Sequence, residues 1–214
     1  MARTKRKKIS EVRLLPNVFS REDGDSEILL REYFANNNSI SLEIGCGHGD
    51  YTIELAQIYP HRNFVGIDFK GARIYYGAKR VLDLKLPNSA FLLTGAEWLI
   101  GIFKKEKIEE IFIPFPDPHY KRKSIPKRLV SPEFLNIYKS VLRNDGRVHL
   151  KTDNTDFYRF ALKTIEENDW NIIYTSLSLY NENPPEFLHN IKTKYEMHYL
   201  KEGRKIKYIC FGLE

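Results

Sequence analysis

The chain has 214 residues, 42% hydrophobic and 29% charged, which predicts one soluble globular domain able to bury about 70% of its unfolded surface. Two isolated cysteines, Cys46 and Cys210, exclude a disulfide scaffold or a zinc site, and no apolar run approaches the roughly 18 residues of a membrane span. The net charge of +6 suits a polyanionic partner, although ordinary solvation also accounts for it.

Residues 1–8 carry Arg3, Lys5, Arg6, Lys7 and Lys8 with no apolar region after them, so they read as a basic tail, solvated or phosphate-seeking, and not as a signal peptide. Ser26 to Phe34 fits a short lead-in helix, ended by Asn36-Asn37-Asn38. Residues 1–37 thus form a tail and lead-in, and 38–214 the main domain. The first strand is Ser39 to Ile44, followed by a helix from Tyr51 to Tyr59 that Asp50 caps and Pro60 stops. Strands are expected at Asn63–Asp68, Ala90–Leu93, Ile108–Phe115 and Gly146–Thr152. Helices are expected at Ala72–Leu86, Ala96–Phe103, Pro132–Arg143 and Thr155–Asn168. Trp170–Ser178 and Lys205–Leu213 complete seven strands, with an irregular Pro184-Pro185 loop between them. Alternating strands and helices predict an α/β fold: a mostly parallel, doubly wound sheet with one antiparallel strand in the edge region and helices on both faces.

Residues 40–50, I-S-L-E-I-G-C-G-H-G-D, place Gly45, Gly47 and Gly49 between a strand and a helix. Such a turn lets a nucleotide-like cofactor approach the backbone closely. Glu43 at the strand end repels a pyrophosphate and suits a cationic cofactor bearing an ammonium group, such as S-adenosylmethionine. Asp68, at the end of the next strand, is placed to hold ribose hydroxyls.

Residues 114–128 read P-F-P-D-P-H-Y-K-R-K-S-I-P-K-R. Asp117 is stiffened by Pro116 and Pro118 and lies just past the fourth strand, so it should face the glycine loop across the sheet's switch point. The plainer alternative is a solvated turn acid. Lys121, Arg122, Lys123, Lys127 and Arg128 follow with no acid among them, a run that can neutralise phosphates or be simply solvated.

With these residues in view, the chain resembles the bacterial tRNA (guanine-N7)-methyltransferase family over roughly residues 38–212. The carriers are Leu42 to Gly49, the Phe115-Pro116-Asp117-Pro118 box and its basic sequel, His149 to Asn154, and Thr193-Lys194-Tyr195-Glu196. The resemblance implies a Rossmann-like class I methyltransferase fold and transfer of a methyl group from S-adenosylmethionine to N7 of guanosine 46 in the tRNA variable loop. It implies that Glu43, Gly45, Gly47, Asp68, Gly95, Ala96 and Asp117 contact the cofactor or shape its pocket, with Glu97 near the adenine and Asp117 also serving the reaction. Lys121, Asp153, Thr193, Lys194, Tyr195 and Glu196 would hold the target nucleotide, and Lys123, Ser124, Ile125, Pro126, Lys127 and Arg128 would lie on the RNA. Two positions depart from the family: His119 replaces a Trp, and Gly95 replaces an acid. The implied setting is the cytoplasm, with tRNA as partner, no metal or membrane, and a monomer or homodimer needing no other protein.

Guanine N7 has no proton to lose, so positioning should outweigh acid–base help, with Asp117 orienting the base or cofactor. Asp153 and Glu196 are acceptors suited to the guanine pairing edge, although Asp153 can equally cap the next helix and Tyr195 can equally be core. A methyltransferase of the same fold acting on a protein or small molecule, and a non-catalytic RNA-binding subunit, are the competing readings.

Overall fold

The computed structural model describes residues 2–103, 108–182 and 184–213, the side chains of residues 2–5 excepted. Arg3 and Lys5 of the basic stretch therefore have side chains outside the described residues.

Five strands supply the parallel centre of the sheet: β2 (Ile40–Ile44), β3 (Asn63–Asp68), β4 (Ser89–Leu93), β5 (Ile108–Pro114) and β6 (Leu142–Thr152). Three more complete it: β1 (Val18–Ser20), β7 (Asn171–Ser176) and β8 (Lys207–Gly212). The order is β1-β4-β3-β2-β5-β6-β8-β7, and β8 is antiparallel to both β6 and β7. The expected antiparallel member is thus β8, inserted between β6 and the edge. Among the described residues the sheet has eight strands and not seven. The three-residue β1, too short to show a period, pairs with β4 in parallel register, Val18 opposite Phe91.

The remaining framework is helical: α1 (Ala2–Val12), α2 (Ser26–Phe34), α3 (Asp50–Ile58), α4 (Gly71–Asp83), α5 (Leu99–Ile102), α6 (Pro132–Val141) and α7 (Thr155–Glu167). Two further short helices, α8 (Glu186–Asn190) and α9 (Lys194–Lys201), replace the irregular loop expected between the last strands. The basic tail is also more than a solvated extension. It forms most of α1, whose Val12 is buried against Ile74, Ala78 and Val81 of α4.

Alternation along the strands divides the core into two layers. Leu42, Ile44, Val65, Ile67, Ile111, Ile113, Val148 and Leu150 bury one face beneath α2, α6 and α7. Phe64, Phe91 and Phe112 fill the other beneath α3 and α4. On that second face two polar residues of β6 are withdrawn from solvent, while Arg147 before them is exposed. His149 and Lys151 are both buried. The ring of His149 stacks on Phe112 with centroids 4.7 Å apart, and its Nδ1 lies 2.6 Å from the Tyr208 hydroxyl. Burial pushes the imidazole down, but Cys210 and Glu110 outweigh it and hold the ring up at about 9.

Gly49 illustrates how closely the glycine turn is packed. Its φ is +72°, and a Cβ there would lie 2.6 Å from the buried Phe91 ring. Gly49→Ala combines left-handed strain with overpacking and is expected to cost about 2–4 kcal/mol, read as a lowered midpoint in urea unfolding. Gly49 itself occupies the cap position of α3, so Asp50 is the helix's first residue and not its cap.

Candidate active site

The chain leaves β2 for β3 and β4 on one side and returns to β5 on the other, which makes the gap between β2 and β5 a topological switch point. Beyond the carboxyl ends of β2, β5 and β6 lies a cleft of about 630 Å³. Its wall includes Glu43, Gly45, Gly47, Asp117, Asp153, Thr193, Lys194 and Tyr195, so residues from four separate stretches meet in one place.

Glu43 is buried at the end of β2. Its Oε2 accepts hydrogen bonds from Thr52 N (2.8 Å) and Thr52 Oγ1 (2.6 Å) at the start of α3. Among the described residues it has no ion-pair partner, and burial pushes its carboxyl up to about 8, against the smaller opposing effect of Thr52. A buried acid lacking a protein cation is a fitting acceptor for a cationic ligand. The glycine turn beside it leaves room: Gly45 and Gly47 have φ of +69° and +57°, and a Cβ on Gly47 would meet nothing within 4 Å. A small ligand with an ammonium group fits this donor and acceptor set.

Asp68, buried at the end of β3, adjoins the turn at the margin of the cleft and is not one of its lining residues. Its two oxygens accept from Gly47 N (3.0 Å) and Lys70 N (2.8 Å), tying the turn to the end of β3. Each oxygen keeps a further lone pair for a hydroxyl. Gly95 and Ala96 follow β4 at the head of a short 3-10 helix (Ala96–Trp98) and are not part of the cleft wall either. The Glu97 carboxylate folds over Gly95 and fills the space a side chain there would take. A carboxylate from two residues further on thus occupies the space beside Gly95.

Asp117 lies on an exposed loop bent by two positive φ values, +52° at Phe115 and +44° at His119. Its Oδ1 accepts from His119 N at 2.9 Å, which stabilises the unusual turn. Arg128 braces the same loop from below. Its Nε donates to Pro118 O at 2.8 Å and its guanidinium lies 4.2 Å from the Phe160 ring centre. Arg128 is therefore occupied internally. Lys121, Arg122, Lys123 and Lys127 are exposed on and beside the 3-10 helix Arg122–Lys127, with Ser124 and Ile125 half-buried between them and Pro126 exposed.

Asp153 pairs with Arg204 (Oδ2 to guanidinium, 2.7 Å), and the cap of α7 is Asn154, whose side chain accepts from Phe157 N. Asp153 is thereby released from the capping role. Tyr195 is 59% exposed, so it is not core; Tyr120, 74% exposed, stands on the same cleft. Thr193 caps α9 in a reciprocal box with Glu196. Glu196 is a correction: its side chain is fully buried, with Oε1 bonded to Lys151 and Tyr180 and Oε2 accepting from Thr193 N, so it has no free edge for a nucleotide. Sequence reasoning saw an acid in a motif and had no means of knowing that α8 and α9 fold it inward. Asp50, Tyr120 and Arg204 were missed as cleft residues; only the adjacency of Tyr120 to the proline box gave any signal.

Residues 37–209 match the family model described as a putative methyltransferase. A tRNA (guanine-N(7)-)-methyltransferase of Christiangramia forsetii is 41% identical over 96% of this chain and 90% of its own length. One from Porphyromonas gingivalis is 42% identical over 85% and 74%. This chain belongs to the tRNA (guanine-N(7)-)-methyltransferase family. Among solved structures, the 16S rRNA methyltransferase KamB superposes with a TM-score of 0.66 at 15% identity, covering 88% of this chain and 94% of that one. A geranyl diphosphate C-methyltransferase from Streptomyces coelicolor, solved with S-adenosyl-L-homocysteine, gives 0.56 at 14% identity over 88% and 75%. At these identities the shared property is the fold, that of class I methyltransferases. In this family member the glycine turn and the proline box face each other across the switch point.

Proposed function

We propose that this chain transfers the methyl group of S-adenosylmethionine to N7 of guanosine 46 in the variable loop of tRNA. The observation that carries the reading is the buried, cation-seeking Glu43 at the glycine turn, in one cleft with Asp117 and beside four exposed cations. In this reading the enzyme works in the cytoplasm as a monomer or homodimer, with residues 38–214 as the catalytic unit.

S-adenosylmethionine, when bound, supplies a methyl carbon already activated by its sulfonium. Glu43 would hold the ammonium, Asp68 the ribose, and Glu97 the adenine side beside Gly95 and Ala96. Guanine N7 would attack that carbon with a lone pair as the carbon–sulfur bond breaks and its electron pair leaves with S-adenosylhomocysteine; no proton need leave, so no general base is required. Asp117 orients the base and favours the positive charge that develops on the purine. The free Asp153 oxygen accepts from the guanine N1–H or amino group, while Tyr195 and Tyr120 offer ring faces to a base drawn out of the tRNA core. Lys121 meets the nucleotide's phosphate, and Thr193 and Lys194 close the far side.

Methyl transfer from labelled cofactor to tRNA with guanosine at position 46, compared with the same tRNA carrying adenosine there, tests the reading. Label in the first and none in the second is expected; equal label in both overturns the position. The exposed cations should act through phosphates. Lys123→Ala with Lys127→Ala is expected to flatten the slope of log affinity against log salt by about 1.4–1.8, whereas Arg128→Ala leaves that slope nearly unchanged.

A further inference from the structure

A buried ion pair beneath the cleft has no part in the steps above. Lys151, 2% exposed, stands on β6 next to Thr152; Glu196, 0% exposed, is the third residue of α9; Nζ and Oε1 are 2.9 Å apart. The ammonium has three protons and four oxygens in reach: Glu196 Oε1 and Leu188 O at 2.9 Å, Ile191 O and the Tyr180 hydroxyl at 3.3 Å. The Tyr180 hydroxyl in turn donates to Glu196 Oε1 at 2.6 Å. One side chain from the sheet thus gathers α8, the segment after it, the first turn of α9 and the turn following β7. On the cofactor side, Asp50 Oδ2 accepts from Lys194 N at 3.3 Å. The first turn of α9, which carries Thr193, Lys194 and Tyr195 to the cleft, is therefore tied to both β6 and the glycine turn.

We propose that Lys151 is a positioning residue for the reaction: through Glu196 it fixes Thr193, Lys194 and Tyr195 where the target nucleotide meets them. The inference rests on the function proposed above. The capping box holds the first turn of α9 together but does not say where that turn sits on the sheet; the Lys151 contacts do. A buried ion pair is also a poor source of stability compared with apolar side chains of similar size, which points to geometry as its use here.

The test compares Lys151→Met, Glu196→Gln, the double variant and Tyr180→Phe with the unmodified protein. The readouts are kcat and KM for tRNA, the Kd of S-adenosylhomocysteine, melting temperature, and amide hydrogen exchange at residues 193–196. Lys151→Met and Glu196→Gln are expected to lower kcat at least 30-fold with both KM and the cofactor-product Kd within threefold, and to speed exchange at 193–195 at least tenfold. The double variant, with no orphaned charge, should recover its melting temperature but not kcat. Recovery of both, or an unchanged kcat in the folded single variants, overturns the proposal by making the pair merely structural. Should Lys151→Met not fold, Tyr180→Phe decides: a three- to tenfold fall in kcat at unchanged melting is expected, and an unchanged kcat overturns the role. If the unmodified protein does not methylate tRNA, the functional reading fails by itself. Exchange at 193–195 still decides the clamp, and unchanged exchange in the variants overturns it.

Discussion

Glu43→Gln is expected to weaken S-adenosylmethionine binding about 30- to 100-fold, roughly 2–3 kcal/mol, while making the protein more heat-stable above neutral pH. Both effects follow from one buried carboxyl. In the folded protein its pKa is raised from 4.5 to about 8, chiefly by burial. Between those values the folded state binds more protons than the unfolded one, so this group's contribution makes stability fall as pH rises from about 4.5 to about 8. Glutamine has no such loss. The melting temperatures of variant and unmodified protein should be close at pH 5, and the variant's should be higher at pH 8.5. The cofactor's ammonium favours the ionised acid, so binding should release protons below pH 8, and affinity should fall as the pH is lowered. Calorimetry in buffers of different ionisation enthalpy reads the proton release directly. A variant that binds cofactor as tightly as the parent would remove Glu43 from the site.

Asp117→Ala should reduce kcat about 100-fold, and Asp117→Asn should separate the two roles of this side chain. The carboxylate lies in the cleft, and its Oδ1 also secures His119 N in a loop with positive φ at Phe115 and His119. Asparagine retains the hydrogen bond to the loop and removes only the charge. If the charge stabilises the methylated purine, Asn is nearly as slow as Ala, with unchanged KM for tRNA. If Asp117 only shapes the loop, Asn retains most of the parent's kcat, measured by single-turnover methyl transfer.

The fold was legible where periodicity was strong. Most strands and helices from Ile40 to Glu167 fall close to their expected bounds because Leu42, Val65, Val148 and their neighbours alternate toward one face, while Ile74, Ala78 and Val81 repeat at helical spacing; the exception is β6, which begins at Leu142 and not at Gly146, so the expected Asn144-Asp145-Gly146 turn is strand. Elements too short to show a period were not legible: β1 has three residues, α8 five, and α9 follows a segment without an apolar stripe. That gap had a chemical consequence. Without α8 and α9 there is nothing to cover the second face of β6, so Glu196 reads as a free acceptor, whereas it is buried on Lys151. Glu43 and Asp117 stand out as candidates in the sequence because they fall at or just past the ends of parallel strands, where this sheet opens its cleft. Arg128 was misread for the opposite reason: within a run of five cations, sequence does not distinguish the one that turns inward to Pro118.

The most direct measurement locates the methyl group. tRNA bearing guanosine 46 is incubated with labelled S-adenosylmethionine and this protein, digested to nucleosides and fragments, and analysed by mass spectrometry, with Asp117→Ala protein in parallel. The account predicts a single 7-methylguanosine at position 46, formed about 100-fold more slowly by the variant. Methyl label on another atom or nucleotide, or none on tRNA while the cofactor binds normally, would contradict it.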